Sequence, residues 1–168
     1  MPEMTLLGWF HTVLGVLALI IAFYTLIKYK IISLAQFSGK LYLLLTIIVA
    51  ASALGIYNQG GFGVAHMLAV LTLVAVAGGV IMGKVKLFGS FSKYFQALGY
   101  SSTILFHMIP AITDFLRRLP VDDPFADTFD DPLVIGFQMS FVLIYIVAII
   151  LQMQWLNWFV QDQIYPKH

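Results

Sequence analysis

The chain has 168 residues, 61% of them hydrophobic and only 10% charged, with a mean hydropathy of +0.93. A soluble domain of this size coats itself with roughly 25% charged residues, so a water-facing surface cannot be built from this composition and the chain reads as an all-α integral membrane protein. A net charge of +1 without a Lys/Arg-rich tract excludes nucleic acid as a partner, and the absence of cysteine removes disulfides, thiolate metal sites and thiol nucleophiles.

A spanning helix takes about 20 mostly apolar residues. Five stretches meet this standard: 6–27, 40–57, 63–82, 95–116 and 133–153, the last drawn out to about 155. No basic n-region precedes the first and no small-residue cleavage site follows it before Lys28, so it reads as a retained helix rather than a signal peptide. The whole of 1–168 is then one transmembrane domain of five helices.

The connections carry the charge. Lys28, Lys30, Lys40, Lys84, Lys86, Lys93 and Lys167 fall on one side of the bilayer, against Arg117 and Arg118 on the other. Basic residues in short loops stay on the cytoplasmic side, which places the N-terminus outside and the C-terminus in the cytoplasm. Asp114, Asp122, Asp123, Asp127, Asp130 and Asp131 then gather at the outer end of helix 4 and in the loop 119–132, read as a solvated linker. Trp9, Phe10, Trp155, Trp158 and Tyr165 fall near helix ends as interfacial anchors.

The segments 6–57 and 63–118 resemble each other. Gly8-Trp9-Phe10-His11 matches Gly63-Val64-Ala65-His66, Lys28-Tyr29-Lys30 matches Lys84-Val85-Lys86, and Phe37-Ser38-Gly39-Lys40 matches Phe91-Ser92-Lys93, at an offset of about 55. The pattern predicts a duplicated helical hairpin forming a four-helix core, with helix 5 added outside and His11 and His66 in equivalent positions across a pseudo-two-fold axis. Ala51 and Gly55, and Gly79 and Gly83, have the small-xxx-small spacing that permits close backbone approach.

Ionisable side chains inside a span are costly and are functional candidates by default. Here they are His11, His66, His107 and, near an interface, Asp114. Counting 1.5 Å per residue puts His66 roughly 4 Å, His11 roughly 8 Å and His107 roughly 13 Å below the outer boundary. Gln138 matches the depth of His11, and Asn58 and Gln59 cap the layer from the turn, giving a polar pocket that opens outward.

Gly8 and Gly15 share a face with His11, and Gly63 precedes His66. Two histidines on opposing, glycine-lined helices are what bis-imidazole ligation of haem b requires. Thr12, Thr46, Ser52, Thr72 and Thr103 are available as hydrogen-bond partners if the histidines instead stabilise the bundle. A divalent metal on His11, His66, His107 and Asp114 is the third reading. In helix 4, Pro110 leaves the carbonyl of Phe106 without its donor, and Arg117 and Arg118 stand at i+3 and i+4 from Asp114, where they can pair with it.

Gly39-Lys40-Leu41-Tyr42 opening helix 2, a histidine in helix 1 and the Gly60-Gly61-Phe62 turn together resemble small uncharacterised bacterial inner-membrane proteins over helices 1 to 3. In that family a His-Arg-x-x-Gly-Arg-x-Tyr pattern starts the second helix. This chain departs from it at Gln36 and carries Lys40 for the later arginine. The resemblance implies a location and no activity. In layout the chain is also similar to cytochrome b561-type haem bundles, which would imply electron transfer between a quinone and an outer-side partner. The other class of function is a non-catalytic membrane subunit or small-ligand-binding protein, partnered by another membrane protein or by a second copy of itself. Orientation is testable directly, because the native chain has no cysteine: Ser90→Cys is expected to resist an impermeant thiol reagent in intact cells, and labelling there would reverse the topology.

Overall fold

The computed structural model describes residues 4–57 and 61–164, with side chains as far as residue 158. The expected turn at Asn58, Gln59 and Gly60, and Tyr165 and Lys167, lie outside the described residues. Five α-helices follow in order: α1 (Leu6–Tyr29), α2 (Phe37–Ala53), α3 (Val64–Val85), α4 (Ser92–Arg118) and α5 (Pro132–Ile164), with a single 3-10 turn over Gly89–Phe91 before α4. No strand occurs among the described residues.

Thr5 starts α1 by accepting the Gly8 N–H on its hydroxyl at 3.1 Å, the usual repair for an orphan amide at a helix N-terminus. α1 and α3 stop in the same way: Lys30 (φ 66°) and Lys86 (φ 52°) turn left-handed while their N–H groups bond back to the carbonyls of Leu26 and Met82. α2 begins and ends earlier than expected, closing at Ala53, so its 17 residues reach about 26 Å, slightly less than the bilayer core of about 30 Å. α5 runs to Ile164 rather than stopping near 155. That length places Trp155 and Trp158 within a continuous helix instead of at its end.

α1, α3 and the Pro132–Trp158 part of α5 are each long and apolar enough to cross a membrane, and α2 is a shorter apolar helix. Only 6% of the α5 window and 17% of that of α1 is buried inside the protein. Exposed apolar helix faces of this extent require lipid as their solvent, and the chain is an integral membrane protein.

α1 packs on α2, α2 on α3 and α3 on α4; lighter contact between α4 and α1 closes the ring, and α5 lies against α4. Ala18 and Ala22 from α1, Tyr42 and Leu43 from α2, Val76 from α3 and Tyr100 from α4 meet at the centre, with Ile32 closing one end. The α3–α4 seam is the tightest. A methyl group at Gly79 would strike the Tyr100 ring, one at Gly83 would strike the Gln96 amide, and one at Gly99 would come within 2.8 Å of the Ala75 carbonyl. The small-residue reading therefore holds for Gly79 and Gly83. It fails for Ala51, whose side is exposed, and for Gly55, which lies past the end of α2 in a turn.

One further expectation changes and another is extended. His11 lies in the second turn of α1, whereas His66 lies in the first turn of α3, and the two rings have unrelated partners. The duplication is thus not supported at the residues that suggested it, although the lysine-capped ends of α1 and α3 do correspond. The acidic loop keeps Asp122, Asp123, Asp127 and Asp130 exposed, as a solvated linker does, but it is also anchored on the bundle. Ala126 is buried with Leu116 and Val134, the Phe125 and Ala126 amides bond to the carbonyls of Leu119 and Leu116, and Asp131 accepts the Leu133 amide at the start of α5.

Gly79→Ala is expected to destabilise the detergent-solubilised protein by about 1 kcal/mol, because overpacking against Tyr100 outweighs the better helix propensity of alanine. Gly78→Ala, where a methyl meets open space, is expected to leave the melting temperature equal or higher. Equal responses from the two variants would refute the close α3–α4 seam.

Candidate functional site

The polar side chains of the bundle are organised around α4. The Thr103 hydroxyl donates to the Tyr100 carbonyl at 2.6 Å, so the phenol of Tyr42 is the donor in the short contact between Tyr42 and Thr103. One turn further, the His107 imidazole meets Thr46 of α2 at 3.3 Å. On its other side α4 binds α5 through Ser101 to Gln152 (2.8 Å), Ser102 to Tyr145 (2.6 Å) and Gln138 to Thr113 (2.9 Å). Gln152 also donates to the Lys30 carbonyl at 3.0 Å, which ties the end of α1 to α4 and α5.

His11 projects from α1 onto α2. Its Nδ1 lies 3.1 Å from the Val49 carbonyl and 3.0 Å from the Ser52 hydroxyl. Ser52 already donates its proton to the Val49 carbonyl at 2.8 Å, so towards the ring its oxygen can only accept. Nδ1 must therefore carry the imidazole proton, shared between the two oxygens. Nε2 is left as a bare acceptor, without a partner among the described residues and not sealed inside the bundle.

His11 and His107 both bond to α2, His11 at Val49 and Ser52 and His107 at Thr46, so the histidines that share a helix partner are His11 and His107, not His11 and His66. Gln138 does not line an open pocket as a free amide, being committed to Thr113. Asp114 bonds to Arg118 at 2.8 Å, as the spacing predicted, while Arg117 turns away to the Asp127 carbonyl and stacks its guanidinium 3.7 Å from the Phe129 ring centre.

His66 stands apart. It is buried at the start of α3, flanked by the rings of Tyr57 and Phe62, and its Nδ1 accepts the Gly63 N–H at 3.2 Å. This is the third position of a capping box, with imidazole in the place usually held by Glu or Gln. Because Nδ1 accepts, the neutral ring carries its proton on Nε2.

These residues do not fit bis-imidazole haem. An axial ligand needs a bare ring nitrogen, and the one bare nitrogen of His66 is taken by Gly63. Gly15 does not face an open slot: a methyl there would lie 3.8 Å from Val49. Gly8 is occupied by Thr5, and only Gly63 faces open space. Between the helices the ground is filled by the fully buried side chains of Tyr42 and Tyr100. Nor do His11, His66, His107 and Asp114 converge on an ion, since among the described residues no three such side chains form a metal-holding group.

Tyr42, Ser101, Tyr145 and Gln152 were not recognised as site-forming from sequence. A signal existed in two polar pairs at i,i+4, Tyr42 with Thr46 and Thr103 with His107, each of which puts two polar groups on one helix face.

Nitrogen NMR of the imidazoles is expected to show His11 protonated on Nδ1 and His66 on Nε2; the opposite tautomer at either ring would overturn its assignment. His66→Ala is expected to cost about 1 kcal/mol by loss of the cap, read as a lower melting temperature, without disturbing the His11 signals. Comparison with protein-family models, with curated proteins and with solved structures gives no match.

Proposed function

We propose that the chain is a five-span, non-catalytic membrane protein that binds a small hydroxyl-bearing amphiphile at an outward-opening site centred on His11, with its N-terminus outside and its C-terminus in the cytoplasm. The observation that carries this reading is the tautomer of His11. A ring fixed by Val49 and Ser52, with Nε2 bare and reachable, presents one oriented acceptor to a hydroxyl group arriving from the lipid side. A quinol has the required chemistry, a phenolic O–H on an apolar body that partitions into the bilayer. Half-exposed Leu7, one turn before His11 on the same helix face, supplies apolar surface for its body, with Trp9 close by on the adjoining face.

Five spans are supported by the way α2 and α4 bury their polar groups against each other. α4 is 27 residues long, or about 40 Å, ample for a crossing. Its serines and threonines count against it by composition, yet most of their hydroxyls are already bonded inside the bundle and so cost little in lipid.

The test is a titration of the detergent-solubilised protein with a short-chain quinol, followed by quenching of Trp9. Saturable binding is expected, weakened about tenfold in His11→Phe by loss of one hydrogen bond and unchanged in His66→Ala. Absence of saturable quenching, or equal affinity in His11→Phe, would sink the ligand reading. Protein made under haem-replete conditions is expected to lack a Soret band. A dithionite-sensitive band lost in both His11→Ala and His66→Ala would instead establish the haem and redox reading.

A further inference from the structure

At the opposite end of the bundle from His11, the end of α3, the 3-10 turn and the first turns of α4 enclose a cavity of about 380 Å³. Its wall includes Lys86, Lys93, Ser90, Ser92 and Gln96, with open space beside Gly89 and the Gln96 amide lying against Gly83. No acidic residue lines it. The ion pair formed among the described residues is Arg118 with Asp114, so neither lysine is neutralised by a carboxylate. Lys93 lies over the Tyr94 ring, 4.7 Å from its centre, which restricts where its ammonium group can go.

We infer that this cavity binds a phosphate-bearing group, most directly the headgroup of an anionic phospholipid. Two lysines without a carboxylate partner among the residues that line one concave space create a positive potential that a phosphate monoanion or diester satisfies, and the serines and Gln96 of the same wall can add hydrogen-bond donors. The left-handed turn at Lys86 sets that lysine at the mouth of the cavity instead of continuing α3. α4 begins at the cavity and runs away from it, so the positive end of its dipole contributes in the same direction.

The rim decides between a lipid and a free ion. Leu87, Phe88, Phe91 and Phe95 are exposed around the same turn. Apolar side chains with lysines beside them belong at the boundary between acyl chains and headgroups. There they would hold the cavity at headgroup depth and offer a path for the acyl chains of a bound lipid.

The experiment is native mass spectrometry of the full chain in a nonionic detergent, titrated with phosphatidylglycerol and, separately, with phosphatidylcholine. The wild type is expected to retain one phosphatidylglycerol in preference to phosphatidylcholine. K86Q/K93Q is expected to weaken that binding on the order of 30-fold, taking about 1 kcal/mol for each lysine at a membrane surface. Ser90→Trp, which fills the cavity while keeping both lysines, should weaken it comparably, and K28Q/K40Q should not. Circular dichroism checks that each variant keeps its helices. If millimolar inorganic phosphate displaces the lipid and protects the wild type thermally by itself, the ligand is a free phosphate group and the site still stands. Equal retention of both lipids by the wild type would overturn the proposal. So would K28Q/K40Q losing as much affinity as K86Q/K93Q, because the attraction would then be diffuse.

Discussion

Polar side chains in a helical membrane protein find their partners inside the protein, because lipid offers none, and in this chain the buried hydroxyls are concentrated on α4. Its threonines, serines and histidine bond to α2 on one side and to α5 on the other. The rest of the architecture follows from this. Helix packing in membranes gains nothing from burying Leu against Leu, since lipid tails are equally apolar. What holds α5 to the four-helix ring is a row of hydrogen bonds through Ser101, Ser102 and Thr113, while an otherwise apolar helix leaves the remainder of its surface to lipid. Gln152 is the most connected member, buried, accepting from Ser101 and donating to the carbonyl that ends α1.

The same rule separates the three histidines by what each must satisfy. His66 closes an orphan backbone amide at a helix start, a structural duty that uses the lone pair a metal would need. His107 meets a threonine on the facing helix. His11 has its proton fixed between two oxygens of α2, which leaves its second nitrogen as an acceptor without a partner among the described residues. The apparent repeat and its glycines pair His11 with His66 in the sequence, but hydrogen-bond direction divides them.

Much of the fold was legible in the sequence because a membrane span is a crude signal: twenty apolar residues and a charged or glycine-rich boundary. Gly79 and Gly83 were readable as a close-packing stripe for the same reason, their spacing being set by helix geometry. The Asp114–Arg118 pair is likewise local, fixed by i,i+4 spacing on one helix. What could not be read was partner choice across helices. Gln138 is committed to Thr113 instead of an open pocket, and His66 reads as a ligand until the Gly63 amide three residues earlier is seen to need an acceptor. In the acidic loop, charge correctly signalled solvation, since Asp122, Asp123, Asp127 and Asp130 are exposed, but its one buried residue, Ala126, and the backbone bonds beside it were invisible in composition.

The lysines also terminate helices. Lys28 and Lys84 occupy the last turns of α1 and α3, and Lys30 and Lys86 are the left-handed residues that end them. A cation at a helix C-terminus is favoured by the carbonyl dipoles there, and a long stem lets the charge reach the headgroup layer while the chain beside it remains in apolar surroundings. Lys28 shows the geometry, bonding to the Tyr24 hydroxyl at 3.0 Å and lying over two tyrosine rings. At α1 the end is consumed internally, the Lys30 carbonyl being taken by Gln152 of α5. At α3 the Lys86 carbonyl has no such partner from α5 among the described residues, and the lysine-lined cavity lies beside this turn. One helix added on one side of a four-helix ring therefore leaves its two lysine-capped ends with different surroundings, a sealed joint at the first and an open basic recess at the second.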